Sequence, residues 1–160
     1  MISFLDLNGN RVELSFEKDT FSIEARHVLV IAKHQNNWLL TLHPKRGIEF
    51  PGGKVEGKES VIEAALRETI EETNVEIKNV EWFAEYLVYE EKPFCKAVFI
   101  AEVGHIEVES TNFETDGALW LSTDDLLHNN NLSFHMRDAG MKAILEKVIA
   151  LEGKWNNREY

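Results

Sequence analysis

Apolar positions along this chain change their period several times, and the changes mark its elements. Phe4-Leu5-Asp6-Leu7 and Arg11 to Phe16 flank Asn8-Gly9, a pair suited to the positive backbone angles of a tight turn, so the chain is predicted to open with a β-hairpin. His27-Val28-Leu29-Val30-Ile31-Ala32 is apolar and β-branched enough for a buried strand. Trp38-Leu39-Leu40-Thr41-Leu42 follows it after a polar Gln-Asn-Asn turn and is its expected partner. Val80 to Tyr89 and Phe94 to Val103, separated by Glu90-Glu91-Lys92-Pro93, predict a long antiparallel pair. Ala118 to Leu121 reads as a short strand, Ser122 as the cap of a brief helix, and Met141 to Leu151 as an amphipathic helix.

Between these strands the period shifts to that of a helix. Ser60-Val61-Ile62-Glu63 has the form of a capping box, and the helix it opens is expected to run to about Thr73. Ile62, Ala65, Leu66, Thr69 and Thr73 recur at three- and four-residue steps and form the predicted buried stripe, with Ile70 at its border. No repeat or linker interrupts the pattern. The expectation is one domain over residues 1–160, of α/β (α+β) class, with a mixed β-sheet sandwiched between helices and an N-terminal β-hairpin.

Composition adds little to the fold but narrows the function. Hydrophobic residues make up 44% and charged residues 28%, as in ordinary globular domains. No apolar run approaches the ~20 residues that cross a bilayer, the first residues lack a signal peptide's basic flank, and one cysteine, Cys95, allows no internal disulfide. A cytoplasmic protein with no membrane partner is expected. The net charge of −11 argues against an extended nucleic-acid groove, which would need clustered Lys and Arg. An anionic substrate would need a cation held by carboxylates to offset both partners.

The candidate chemistry lies at residues 49–75. Glu49-Phe50-Pro51-Gly52-Gly53-Lys54 runs from a strand end into a glycine-rich loop, and the helix behind it carries Glu68, Glu71 and Glu72 at i, i+3 and i+4. Like charges at that spacing repel, unless a cation occupies the patch they form. Oxygen-only ligands favour magnesium, manganese or calcium over zinc. Acidic helix faces are usually just solvated, and Arg67 can reach Glu63 and Glu71. The adjacent glycines weigh against that reading, because they let backbone groups approach a metal or phosphate closely.

From Gly53 to Val75 the chain resembles the box of the Nudix hydrolases: a glycine, five residues, Glu59, seven residues, then Arg67-Glu68-Thr69-Ile70-Glu71-Glu72-Thr73-Asn74-Val75. Thr69 stands where an aliphatic residue is usual, and Asn74 replaces a glycine at the helix end. The resemblance implies a Nudix fold and hydrolysis between phosphates, with Mg2+, or Mn2+ in its place, held by Glu68, Glu71, Glu72 and the carbonyl of Gly52. It makes Gly53, Glu59 and Arg67 structural, with Glu59 and Arg67 paired. A further carboxylate, as metal ligand or general base, is expected from Glu114, with Asp116 as runner-up. Lys54 is expected on a phosphate, and Arg46 beside it. Phe50, Phe83, Phe113 and Phe134 are candidate stacking platforms for a base, and Asn129 to Asn131 candidate readers of its edge.

Arg46 to Glu56, the opening hairpin and the length resemble the YtkD branch of MutT-like Nudix proteins in Gram-positive bacteria. This implies a small-molecule nucleotide substrate, such as 8-oxo-dGTP cut to the monophosphate and pyrophosphate. The alternative it implies is removal of pyrophosphate from triphosphorylated RNA 5′ ends. A non-catalytic Nudix-like nucleotide sensor is the rival from another class, though such relatives usually lose the box glutamates retained here.

Overall fold

The computed structural model describes residues 1–106 and 117–156. Nine strands form one mixed sheet: β1 (Ile2–Leu5), β2 (Arg11–Ser15), β3 (Ala25–His34), β4 (Asn37–His43), β5 (Gly47–Glu49), β6 (Gly52–Lys54), β7 (Val75–Tyr89), β8 (Phe94–Ile106) and β9 (Ala118–Ser122). Among the described residues three helices accompany them: α1 (Val61–Thr73), α2 (Thr123–His128) and α3 (Ala139–Asn156), with a 3-10 turn at Phe134–Met136. The main path through the sheet is β1-β2-β7-β8-β3-β4-β5. β6 adds to β3 and β9 to β4. Only β3 and β8 run parallel among these pairings.

Alternation along β3 explains the layering. Val28, Val30 and Ala32 point to one face, where they pack with Ala64 and Ala65 of α1, Val75, Ala97 and Phe99. Leu29 and Ile31 point to the other face, against Trp38, Leu40, Leu126 of α2 and Met141, Ile144 and Val148 of α3. The sheet is therefore covered on both sides, as the hydrophobic pattern predicts. No described helix is long and apolar enough to cross a membrane.

The opening hairpin forms, with Phe4 paired to Val12, but its connection differs from expectation. It is a loop over Asp6–Asn10 in place of a two-residue Asn-Gly turn. Gly9 has φ +83, whereas Asn8 is not in the positive region. The Asp6 carboxylate accepts from the amides of Asn8 and Asn10 at 2.9 and 2.8 Å, so an aspartate-centred turn supplies the closure.

Helix α1 has the ends its sequence specifies. Ser60 accepts from the Glu63 amide at 3.1 Å and Glu63 accepts from the Ser60 amide at 3.1 Å, completing the capping box. Asn74 takes the left-handed conformation at φ 59, ψ 30 and its amide donates to the Ile70 carbonyl. The Thr69 hydroxyl is fully buried and donates back to the Ala65 carbonyl at 2.7 Å, which is how a hydroxyl is tolerated where an aliphatic is usual.

The face that α1 buries keeps Ala65, Thr69 and Thr73 of the expected stripe, with Leu66 half-buried, but leaves out Ile62 and takes in Ala64, Glu68 and Glu72. Ala64, Ala65, Glu68, Thr69, Glu72 and Thr73 are buried, while Ile62 is 45% and Ile70 40% exposed. The helix is turned about its axis so that two of its glutamates stand at the protein's interior edge. Alanine and threonine give a thin face that lets α1 lie close to the sheet, and close approach carries the neighbouring glutamates in with them.

Candidate active site

Strand β6 and the last two turns of α1 build the site from opposite sides. The Val30 amide donates to the Pro51 carbonyl and the Val55 amide to the Arg26 carbonyl, at 2.8 and 2.9 Å, bracketing Gly52 between paired positions. Alternation in an antiparallel ladder then turns both backbone groups of Gly52 away from β3. Its amide donates to the Glu72 carboxylate, and its carbonyl lies on the same edge. A Cβ at Gly52 would overlap the Val28 carbonyl, and one at Gly53 would overlap the Glu68 carboxylate. Both glycines are needed for room, since neither has a positive φ.

Glu68 and Glu72 are 8% and 7% exposed and hydrogen-bond to each other. Burial, then the charge of Glu68, pushes Glu72 up to about 9. Burial also raises Glu68, against the pull of Arg67, which donates to it at 3.0 Å. At neutral pH the pair shares a proton unless a cation joins it. Glu49 lies close enough to add to the repulsion on Glu72. The sequence pattern did not single out Glu49 as a site residue; a glutamate at a strand end before Phe-Pro-Gly-Gly is the signal that was available.

Glu71 goes elsewhere. Its side chain is 41% exposed and accepts from Arg67 at 3.1 Å, so the structure gathers two of the three predicted carboxylates and turns the third toward solvent. Among the described residues no three His, Cys, Asp or Glu side chains are disposed to hold a metal ion. The donors present nonetheless fit a hard divalent cation: two buried carboxylates that repel, and a backbone carbonyl on the same edge, all oxygen.

Arg67 is the hub of the loop-to-helix junction. It donates to both oxygens of Glu59 at 2.7 and 2.9 Å and to the Lys54 carbonyl at 3.0 Å, as well as to Glu68 and Glu71. Glu59 also accepts from the Glu56 amide at 3.0 Å. These bonds hold Glu59 down to about 2 and raise Arg67 further above its usual range.

Two cavities adjoin the glycine loop. A small one of about 110 Å3 is lined by Arg46, Glu49, Phe50, Gly52, Gly53 and Lys96 among others. A larger one of about 750 Å3 shares Arg46, Gly53 and Lys96 with it and adds Lys54, His27 and Phe94. Arg46 is held by Glu49 through bonds of 2.7 and 3.2 Å. Lys96, which the pattern did not single out, reaches this wall because β8 runs beside β3, opposite His27. Burial, Lys96 and Lys54 push His27 down to about 4, and its neutral ring stacks on Phe94 with centroids 4.3 Å apart. Phe50 is 3% exposed in the core and presents only cavity wall, not a free stacking face. Cys95 is buried, with its thiol pushed up to about 12 by burial and by Glu85. Glu114, Asp116 and Phe113 lie outside the described residues.

The glycine loop, the capped helix with its buried glutamates and the sandwiched mixed sheet define a phosphoanhydride hydrolase of a known kind. The chain belongs to the Nudix family, whose domain model matches residues 22–142. It is 39% identical over 151 residues to YtkD of Bacillus subtilis (strain 168), provisionally named an 8-oxo-dGTP diphosphatase, covering 92% of this chain and 96% of that protein. A crystal structure of the Bacillus subtilis pyrophosphohydrolase BsRppH matches with TM-score 0.85 and 38% identity, over 94% of this chain and 97% of that one. A Nudix hydrolase from Nitrosomonas europaea matches with TM-score 0.66 at 20% identity, over 79% and 90% of the two chains, which shows the shared fold. The protein is a Nudix pyrophosphohydrolase.

Proposed function

We propose that this enzyme hydrolyses purine nucleoside triphosphates, oxidised ones such as 8-oxo-dGTP among them, releasing the monophosphate and pyrophosphate. The observation that carries this reading is the buried Glu68–Glu72 pair set against Gly52 and Gly53, which line cavities that also carry Arg46, Lys54 and Lys96. The likeness to YtkD supports the oxidised guanine nucleotide as the substrate to try first.

Glu68, Glu72 and the Gly52 carbonyl would hold magnesium, or manganese, with Glu71 joining by leaving Arg67. When bound, such an ion offsets phosphate charge and lowers the pKa of coordinated water. Lys54 and Arg46 bind and orient the phosphates. Arg67 and Glu59 keep the glycine loop against α1, so that Gly52 and Gly53 face the carboxylates. Glu114 is proposed to add a further carboxylate. Water attacks the phosphorus bearing the nucleoside, the bond to the bridging oxygen breaks, and pyrophosphate leaves.

A second reading, the RNA 5′ end as substrate, is favoured by a neighbouring cavity of about 420 Å3 whose lining includes Lys45, Arg46 and Arg137. The test is product analysis, with magnesium and with chelator, on 8-oxo-dGTP, dGTP, a panel of nucleoside diphosphate derivatives and a short 5′-triphosphorylated RNA. Metal-dependent release of pyrophosphate, fastest from 8-oxo-dGTP, is the expected result. Best turnover of a sugar nucleotide or dinucleoside polyphosphate would overturn the triphosphate reading, and absence of turnover on every substrate would point to a nucleotide sensor.

A further inference from the structure

A further cavity, of about 400 Å3, opens on the side of the sheet that α1 covers, where the first turn of α1, the β2–β3 connection and β7 meet. Its floor is apolar: Val55, Val61, Trp82 and Ala97 pack with the cluster beneath α1. Glu85 stands in that floor because it pairs with Ala97 across β7 and β8, and paired residues share a face of the sheet.

Glu85 is 8% exposed. Its carboxylate accepts from the Asp19 amide at 3.2 Å and from the Cys95 thiol at 3.7 Å, and it pairs with no cation among the described residues. The other buried glutamates are accounted for. Glu13, Glu49 and Glu68 each meet an arginine, and Glu72 belongs to the pair proposed to hold magnesium. A buried carboxylate is costly until something positive joins it, and Glu85 lines a space in which something can.

The surrounding charges lean the same way. Asp19 and Glu24 line the wall beside Lys18, while Arg26 is turned onto the carbonyls of Val55 and Gly57 at 3.5 and 3.2 Å. Glu59, on the same wall, is already held by Arg67. Among the described residues no three ligands gather here for a metal ion, and a bare ion would gain nothing from the indole. A cation with a carbon body gains from both, because its charge can meet Glu85 while its methylenes cover Trp82 and Val61. The volume lies within the ~300–1,000 Å3 usual for small-ligand sites.

We propose that this cavity binds an alkyl diamine or polyamine, with one ammonium on Glu85, the methylene chain along Trp82 and Val61, and the second ammonium toward the exposed wall that carries Asp19 and Glu24. The site is separate from the carboxylate pair. It shares Ile23, Glu24, Arg26 and Val55 with the 750 Å3 cavity beside the glycine loop, so a ligand here braces the segment that leads from Gly53 into α1. Its ligand does not depend on which phosphate compound the enzyme cuts.

The test is isothermal calorimetry at low ionic strength, without magnesium or nucleotide, using putrescine as the probe and butanediol as its uncharged counterpart. Wild type should bind a single putrescine at least about tenfold more tightly than the diol, since a charge-assisted bond to a carboxylate is replaced by a neutral one. E85Q should lose about tenfold in putrescine affinity and W82L about threefold. E72Q, which removes charge from the catalytic pair, should bind putrescine as wild type does. Melting curves establish which variants fold; if E85Q does not, W82L and the diol comparison in wild type decide. Equal affinity of wild type for putrescine and diol, or no binding of either, overturns the proposal. Putrescine binding that E72Q abolishes and E85Q keeps also overturns it, by placing the amine on the magnesium ligands.

Discussion

Glu59 precedes α1 and Glu72 stands in its last turn, yet their environments drive them in opposite directions. Glu59 meets both arms of Arg67 and a backbone amide and is held down to about 2. Glu72 is buried against another carboxylate and is pushed up to about 9. A carboxylate already neutralised by the protein can position a loop and has nothing left for a ligand. One left at a net cost to the fold is what a cation can relieve, and that contrast sorts the glutamates of the box into roles.

The largest effect should come from removing the unsatisfied carboxylate. Glu72→Gln is expected to lower magnesium-dependent turnover by orders of magnitude with the fold intact, measured as kcat/KM on the best triphosphate substrate. Wild-type turnover in that variant would remove Glu72 from the site. The same variant sharpens the contrast through stability. A carboxyl raised from 4.5 to about 9 favours the folded state fully below pH 4.5 and loses that contribution as pH rises toward 9. Metal-free wild type should therefore lose stability progressively between these limits, by a few kcal/mol at the top, and melt at correspondingly lower temperature. Glu72→Gln should flatten the profile, and saturating magnesium should do so in wild type. A metal-free profile of the same slope in both proteins would mean that Glu72 is not the group responsible.

Gly53→Ala ranks next. The added methyl would meet the end of a flexible side chain, Glu68, so the fold can yield by moving that carboxylate. Turnover is expected to fall roughly 10- to 100-fold, as when a ligand's positioning is lost, with little change in melting temperature. Gly52→Ala makes the sharper control, because its methyl meets the Val28 backbone and cannot be relieved without opening β6 from β3. If both variants lost stability equally, Gly53 would be serving the strand pairing and not the site.

The sequence made the strands legible because β3, β4, β7 and β8 carry long apolar runs bounded by turn residues, and period 2 needs no knowledge of neighbours. The ends of α1 were equally legible, since Ser60, Glu63 and Asn74 act through bonds within a few residues. Lys96 was not, because β8 reaches the cavity only through its parallel pairing with β3, some seventy residues away along the chain. Glu49 and the cation cavity around Lys45 and Arg137 were hidden for the same reason: residues 130–133 return to β5 through backbone bonds that leave no side-chain signature. Ala65, Thr69 and Thr73 were read correctly as buried, and Ile62 was misplaced because isoleucine is the stronger apolar signal, whereas alanine and threonine permit the closer approach.

That last point gives the smallest and most discriminating prediction. If Ile62 and Ile70 face solvent, replacing either with serine removes little buried surface, and stability should change by no more than about 0.5 kcal/mol, as for ordinary surface sites. Ala65→Leu should do the opposite, since Ala65 is fully buried between α1 and the sheet and added volume there costs about 1–3 kcal/mol. The alternative orientation, with the isoleucines inside, predicts losses of about 2–5 kcal/mol for the serine variants, close to those of buried large-to-small changes. Denaturant melts of the three variants distinguish the two. The outcome also bears on catalysis: only the orientation that exposes Ile62 and Ile70 carries Glu68 and Glu72 inward to face Gly52 and Gly53, so a large loss in the serine variants would dismantle the carboxylate pair along with the helix face.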